Sequence, residues 1–345
     1  MLVNQKFIAE RAGVSQKTVS LYFREPGKIA ERTRNRIGTV VRQYHYLPNL
    51  AARSIRSRKF NRIACVVMQY GDRSKVIHPH LMAYLNGAAS ELSAAGYSLL
   101  FEPVYVSQPG FKVHFPEFFD SISVDGIIGI PGSWIPPEIN ARVRQLELPT
   151  VWLNCRSTDA ETVCLEFDEA AGVRELVHHL LQQGKRRLAW FGPDFTMDSA
   201  VHYSSRDRYT ALSAELTAAG GTLVRSVFAR FGEQLPSKAA AFAESSGEFD
   251  AVICYNFDYR DAILWTLIQS GVNPMGFPLV HFASSWEERG IYDFFDYVML
   301  PEAELGRRGA RFILSRLRGD SGEEFLRPPA GTLHIAERSS TRSSL

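Results

Sequence analysis

From Arg62 onward the chain alternates short apolar strand runs with helical stretches, and this alternation constrains the fold more than any other feature. Residues 63–68 read as a buried strand, 81–95 as an amphipathic helix ended by Gly96, and 97–104 as a second strand. Further strands are expected at 125–130, 150–153, 187–191, 223–228, 251–255 and 279–282. Helices are expected at 170–183, which Gly184 ends, and near 207–219, 236–245, 260–270 and 304–318. Such alternation produces parallel sheets with helices on both faces. Ligands bind in these sheets beyond the carboxyl ends of the strands. No fixed-period repeat is present.

The first 60 residues have a different texture. They hold thirteen Lys/Arg against three Asp/Glu, a charge of +10, while the remainder carries −8, so the net +2 conceals a basic head on an acidic body. A basic block of this kind marks a nucleic-acid-binding module joined to a part with another task. Within it, three helices are expected. Residues 5–12 place Ile8, Ala9 and Ala12 on one face, and Gly13 then permits a tight turn. Ser15 stands where an N-cap would start a helix over 16–23, with Val14 and Val19 inward and Gln16, Lys17, Ser20 and Leu21 outward. Pro26-Gly27 breaks the chain, and residues 31–44 form a third helix with Ile37, Val40 and Val41 as its buried stripe, ended by Pro48. A helix, a glycine turn and a second helix with a polar start is the helix-turn-helix pattern, whose second helix enters the DNA major groove. An ordinary three-helix cap has the same outline.

The segments AGVSQKTVS (12–20), TRNRI (33–37), YLPNLAARSIR (46–56) and RIACVV (62–67) resemble the lactose-repressor/galactose-repressor (LacI/GalR) family. VDGIIGIP, LPTVWLN, HLLQQGKRRLAWFG, LGRRGARFILSRL and the terminal ERSST extend the resemblance over nearly the whole chain. It implies an all-α helix-turn-helix DNA-binding head (1–48), a hinge (49–60) and a periplasmic-binding-protein-like α/β body (61–345) that binds effector and dimerises. The body would comprise two doubly wound subdomains, about 61–158 with 291–319 and about 159–290 with 320–345, crossing near 158, 290 and 320.

The resemblance also assigns roles. Gln16, Lys17, Ser20 and Leu21 would read bases. Leu21 stands where many members have Arg, so it can touch a thymine methyl but cannot form the bidentate bond to guanine. Ser15, Thr18, Arg24, Lys28 and Arg34 would contact phosphates, which position the protein without reading sequence; capping and helix packing also fit Ser15 and Thr18. In the hinge, Asn49, Ala52, Arg53, Ile55 and Arg56 would order on DNA, with Ile55 wedging into the minor groove. For the effector, the resemblance points to Arg208, with Arg206 as the alternative. A guanidinium fork suits hydroxyl or carboxylate recognition. Asn256 and Asp258 stand near the family's Asn-Asp pair, Phe231 matches a ring-packing aromatic, and Asn154 ends a strand; a loop cap or rim packing fits the last two as well. A second family Asp would fall near Ala283-Ser284 and is missing from the sequence there.

These readings imply a sequence-specific DNA-binding transcriptional regulator of the repressor type. It would act as a homodimer on a double-stranded, pseudo-palindromic operator and respond to a small sugar-like effector. The alternative is a periplasmic-type small-molecule-binding protein with a vestigial head. Enzymatic activity is not expected, since no Walker loop, GxGxxG, GxSxG or HExxH occurs. His78-Pro79-His80 and His178-His179 lack matching Cys or acid spacing, so neither metal nor cofactor is expected. The four cysteines, Cys65, Cys155, Cys164 and Cys254, follow no paired spacing and read as reduced cytosolic thiols. Without a signal-peptide core or an apolar run of about 18 residues, a cytoplasmic location is expected, with no membrane contact.

Overall fold

The computed structural model describes residues 3–47, 59–70, 81–107, 112–195, 201–230, 234–271, 273, 277–284 and 295–336. The chain divides into a unit of residues 1–60 and a unit of residues 61–345.

In the first unit, α1 (Gln5–Ala12), α2 (Gln16–Arg24) and α3 (Glu31–Gln43) fall where the apolar spacing put them. Ile8, Ala12, Val19 and Ile37 form its buried centre, joined by Ala9, Val40 and Tyr46. Gly13 ends α1 at φ 57°, a left-handed conformation that a Cβ would strain. The Arg36 guanidinium from α3 donates to its carbonyl at 3.3 Å, tying the turn to the third helix.

The second unit contains two six-stranded sheets. The first comprises β1 (Arg62–Tyr70), β2 (Ser98–Ser107), β3 (Lys112–His114), β4 (Gly126–Ile130), β5 (Thr150–Leu153) and β6 (Cys164–Leu165), ordered β3-β2-β1-β4-β5-β6. The second comprises β7 (Arg187–Pro193), β8 (Thr222–Ala229), β9 (Ala251–Cys254), β10 (Leu279–Ala283), β11 (Asp296–Met299) and β12 (Thr332–His334), ordered β12-β11-β10-β9-β7-β8. Pairing is parallel except at the edges, where β3 runs against β2 and β12 against β11. The alternation of signals foretold the parallel centre. The edge strands β3 and β12 have three residues each and too little pattern to read.

The helices are α4 (Leu81–Ala94), α5 (Pro137–Gln145), α6 (Glu169–Gln182), α7 (Tyr203–Ala218), α8 (Gln234–Ala243), α9 (Phe257–Gln269) and α10 (Glu302–Arg318). Of these, α5 was not expected. One apolar cluster joins α4, α10 and the first sheet, and another joins α6, α7 and the second. Where α4 meets α10 the backbones touch: a Cβ on Gly87 would lie 1.9 Å from the Ala303 carbonyl oxygen, and one on Gly306 2.1 Å from that of Tyr84. Small residues at this crossing let the helices approach more closely than any side chain allows.

The chain changes sheet later than expected. β6 still pairs with β5, so the first crossing follows Leu165 rather than lying near 158. β11 pairs with β10, so the second follows Met299 rather than lying near 290. Phe325 and Leu326 still pack on the first lobe's core, and Ala330 bridges to Asp168, so the third lies beyond the expected 320. A two-residue β6 carries no periodic signal, and the Asp at the start of β11 disguises a buried strand.

Candidate nucleic-acid interface and ligand site

On the head, the Ser15 side chain accepts from the Thr18 amide at 3.0 Å, and the two hydroxyls lie 2.8 Å apart. Both residues are therefore engaged in capping α2. Gln16 and Lys17 are exposed in the first turn of that helix, and Ser20 and Leu21 lie half-buried one turn on. The helix N-terminus adds its own positive partial charge beside them. Lys28 pairs with Glu25, while Arg24 stands 3.9 Å from the same carboxylate. Arg34 lines an open groove with Tyr22, Phe23, Pro26, Asn35 and Arg42. The hinge candidates Asn49, Ala52, Arg53, Ile55 and Arg56 lie outside the described residues.

In the body, Arg208 and Asn154 come together through partners the sequence did not reveal. Arg208 on α7 is 3% exposed and makes a bidentate ion pair with Glu169, Nε to Oε2 at 2.6 Å and Nη2 to Oε1 at 3.0 Å. Its Nη1 donates to the Tyr255 carbonyl at 2.9 Å, just past the end of β9. The guanidinium also lies over the rings of Phe282 and Tyr255, 4.2 and 4.9 Å from their centroids. Three of its five N–H donors are thus bonded to described residues. Arg206, the alternative, is exposed and stands 5.9 Å from the Phe195 ring.

Asn154 follows β5 at φ 55°. Its carbonyl accepts from His202 Nε2 at 2.8 Å, and its Oδ1 accepts from the Tyr203 hydroxyl at 3.0 Å. Because a carbonyl can only accept, His202 carries its proton on Nε2. Nδ1 is then the acceptor that the Ser204 amide reaches at 3.3 Å and the Ser204 hydroxyl at 2.7 Å. Ser204 in turn lies 2.8 Å from the Tyr255 hydroxyl, which completes a chain from β9 through α7 to β5. Burial, with Arg208 and Arg156 nearby, holds the His202 pKa down to about 4. Arg156, two residues beyond Asn154, pairs with Glu166 and, from the other lobe, Asp207, both at 2.6 Å.

Asn256 caps α9, its side chain accepting from the Tyr259 amide at 3.4 Å and donating to Asp258 at 3.0 Å. Near 283–284, where the resemblance would place an acid, the Ser284 hydroxyl donates to Glu302 at 2.5 Å. Phe231 and the His78-Pro79-His80 stretch lie outside the described residues. The structure therefore brings Arg208 and Asn154 into one network and uses Asn256 and Asp258 at a helix start. Sequence reasoning missed Glu169, His202, Tyr203, Ser204 and Tyr255. Glu169 offered a faint signal as an acid in a helix first turn, but nothing local shows that it faces Arg208. Among the described residues no group of three His, Cys, Asp or Glu side chains could hold a metal ion, and no helix is long and apolar enough to cross a membrane.

Residues 6–49 match the family profile described as bacterial regulatory proteins, lacI family. Catabolite control protein A of Staphylococcus aureus is 21% identical over 322 residues, spanning 92% of this chain and 93% of its own length. The HTH-type transcriptional regulator PtxS of Pseudomonas putida is 24% identical over 329 residues, spanning 91% and 89%. Among solved structures, the lac repressor dimer bound to operator and the anti-inducer ONPF has a TM-score of 0.71 at 15% identity, covering 97% of this chain and 98% of that one. The complex of the transcriptional regulator CelR with cellobiose has a TM-score of 0.59 at 19% identity, covering 97% and 99%. Identities this low establish a shared fold.

Proposed function

We propose that this chain, a member of the LacI/GalR family of regulators, is a repressor that binds its operator as a homodimer and is switched by a small ligand between its body lobes. The observation that carries this reading is the head, where a capped α2 presents Gln16 and Lys17 to solvent behind a glycine turn. A helix of this kind fits the major groove, where side-chain amides read adenine and cations read guanine. Leu21 supplies an apolar contact suited to a thymine methyl. Arg24, Lys28 and Arg34 contribute phosphate contacts, and the hinge sets Ile55 into the minor groove at the operator centre.

The body supplies the switch. Asn154 and Arg156 on one lobe hold His202, Tyr203 and Asp207 on the other, and Ser284 holds Glu302 across the same gap. A ligand that breaks or completes these bonds changes how the lobes close. Two of the Arg208 N–H donors have no partner among the described residues, and such donors suit hydroxyl groups. The Arg208 charge is already balanced by Glu169, so a neutral polyhydroxyl compound fits better than an anion. That agrees with the cellobiose named in the CelR complex. Operator binding places the protein in the cytoplasm, and the reading assigns it no catalytic step.

The test has two halves. Thermal shifts of the protein against sugars, sugar phosphates, nucleosides and small acids identify the ligand, since saturation at about 100 times Kd adds about 2.7 kcal/mol. Fluorescence anisotropy then measures DNA affinity with and without it. Ligand and DNA must alter each other's affinity by the same factor. A ligand that stabilises the body and leaves DNA affinity unchanged refutes the switch.

A further inference from the structure

The sequence separates Cys155 from Cys164 by a loop, but the fold returns them to contact. β5 and β6 are parallel neighbours, and Asn154 at φ 55° turns the chain just past β5. The Cys155 thiol then donates to Cys164 with the sulfurs 3.7 Å apart. Both pack in the apolar cluster around Trp152, Cys155 fully buried and Cys164 half-buried. We propose that Cys155 and Cys164 form a dithiol that closes to an intramolecular disulfide when the folded protein meets hydrogen peroxide. This stands independently of the DNA-binding reading.

The sulfurs need to approach by under about 2 Å to reach a bond of about 2.05 Å. Adjacent strands lie about 4.8 Å apart, so rotations of the two side chains supply most of that motion. Access and chemistry assign the order. Cys164 reaches solvent, and the hydrogen bond from Cys155 favours its thiolate. The same bond and burial push the Cys155 thiol up. Cys164 attacks the peroxide, the O–O bond breaks, and its sulfur becomes a sulfenic acid as the first oxygen leaves in water. The Cys155 sulfur then attacks the Cys164 sulfur, the S–S bond forms, and the sulfenic oxygen leaves as a second water carrying the Cys155 proton. Two thiols are oxidised and one peroxide is reduced to two waters.

Cys65 and Cys254 are internal controls. Both are buried; burial pushes the Cys65 thiol up to about 12 and moves Cys254 in the same direction. The position gives the disulfide a consequence. Cys155 lies between Asn154 and Arg156, the two residues that hold His202, Tyr203 and Asp207 across the lobes. Closing the bond pulls on that connection. Redox-sensing cysteines are accessible, favour the thiolate and stand beside a resolving cysteine, and this pair has that setting.

The test treats the full chain with hydrogen peroxide, quenches with catalase, alkylates under denaturing conditions and maps peptides by mass. The expected product links the Cys155 and Cys164 peptides with loss of two hydrogens, reverts with dithiothreitol, and forms at least about tenfold faster than Cys65 or Cys254 is oxidised. Cys155→Ser should leave a Cys164 sulfenic acid that dimedone traps. Cys164→Ser should leave Cys155 unoxidised. The wild-type result decides even where a variant misfolds. Four alkylatable thiols after an exposure that fully oxidises glutathione overturn the proposal. A link to Cys65 or Cys254, a link between chains, or equal oxidation rates also overturns it.

Discussion

His202 Nε2 donates to the main-chain oxygen of Asn154 at 2.8 Å, so the cap of α7 in the second lobe is bonded to the residue that follows β5 in the first. The Ser204 amide donates to Nδ1, which must therefore be unprotonated, so the ring is the neutral Nε2–H tautomer. Protonating Nδ1 would bury a cation and set it near Arg208 and Arg156; burial above all, with those two charges, holds the folded pKa down to about 4.

That shift predicts a pH dependence with a definite sign. In the unfolded chain the imidazole protonates near pH 6.5, whereas in the folded chain it resists until about 4. The unfolded state therefore binds more protons between these values, and stability falls as pH drops through the window. By pH 4.5 the loss from this group reaches about 2–3 kcal/mol. Buried His281, held low by burial and by Arg260, adds a loss of the same sign. Urea unfolding at pH 7.5 and 4.5, in wild type and His202→Asn, isolates the His202 share. Equal pH dependence in both chains contradicts the assignment.

The Arg208–Glu169 pair is buried at 3% and 4% exposure, so each residue is the other's counter-ion. Arg208→Met or Glu169→Leu alone leaves a buried charge and should cost about 3–5 kcal/mol. The double variant should recover much of that loss. A double-mutant cycle by urea unfolding measures the coupling. Additive losses show that the pair does not act as a unit. Loss of ligand response in Arg208→Met alone thus carries a stability effect, and the double variant separates the two.

The α4–α10 crossing tolerates no Cβ at Gly87 or Gly306, since each would strike a backbone carbonyl. Gly306→Ala should destabilise the body by more than about 3 kcal/mol despite alanine's better helix propensity. Calorimetry should show a lower Tm for the body. An unchanged Tm means the helices can slide apart at no cost.

On the head, base contacts and phosphate contacts separate by salt. Arg34→Ala should weaken binding to all sequences alike and reduce the slope of log K against log salt by about 1. Gln16→Ala should cost about 1–3 kcal/mol on the preferred site and leave the salt slope unchanged. Anisotropy titrations across a salt series distinguish them; the reverse pattern exchanges the two roles.

Much of this was legible in the sequence, for reasons that also explain the rest. Gly13, Ser15 and the Ile37–Val40 stripe are local signals, and the head follows them. The parallel strands announced themselves as apolar runs. Arg208 was singled out through the resemblance and Asn154 as a polar residue at a strand end, yet the partners they meet in the fold were not. Glu169, His202 and Tyr255 are far from them in sequence, and only the meeting of α6, α7 and β9 puts them in reach. The Cys155–Cys164 contact was hidden for the same reason: no spacing rule encodes a left-handed residue that turns one cysteine toward a neighbouring strand. The late sheet crossings depend on strands too short to carry a period.

The central claim is that this chain reads DNA sequence as a symmetric dimer. The most direct measurement is selection of bound duplexes from a random library by the full chain, with the fraction sequenced over successive rounds. The account predicts an enriched inverted repeat that disappears when residues 1–60 are removed. Recovery of no sequence above the starting library, or of a lone asymmetric site, would contradict it.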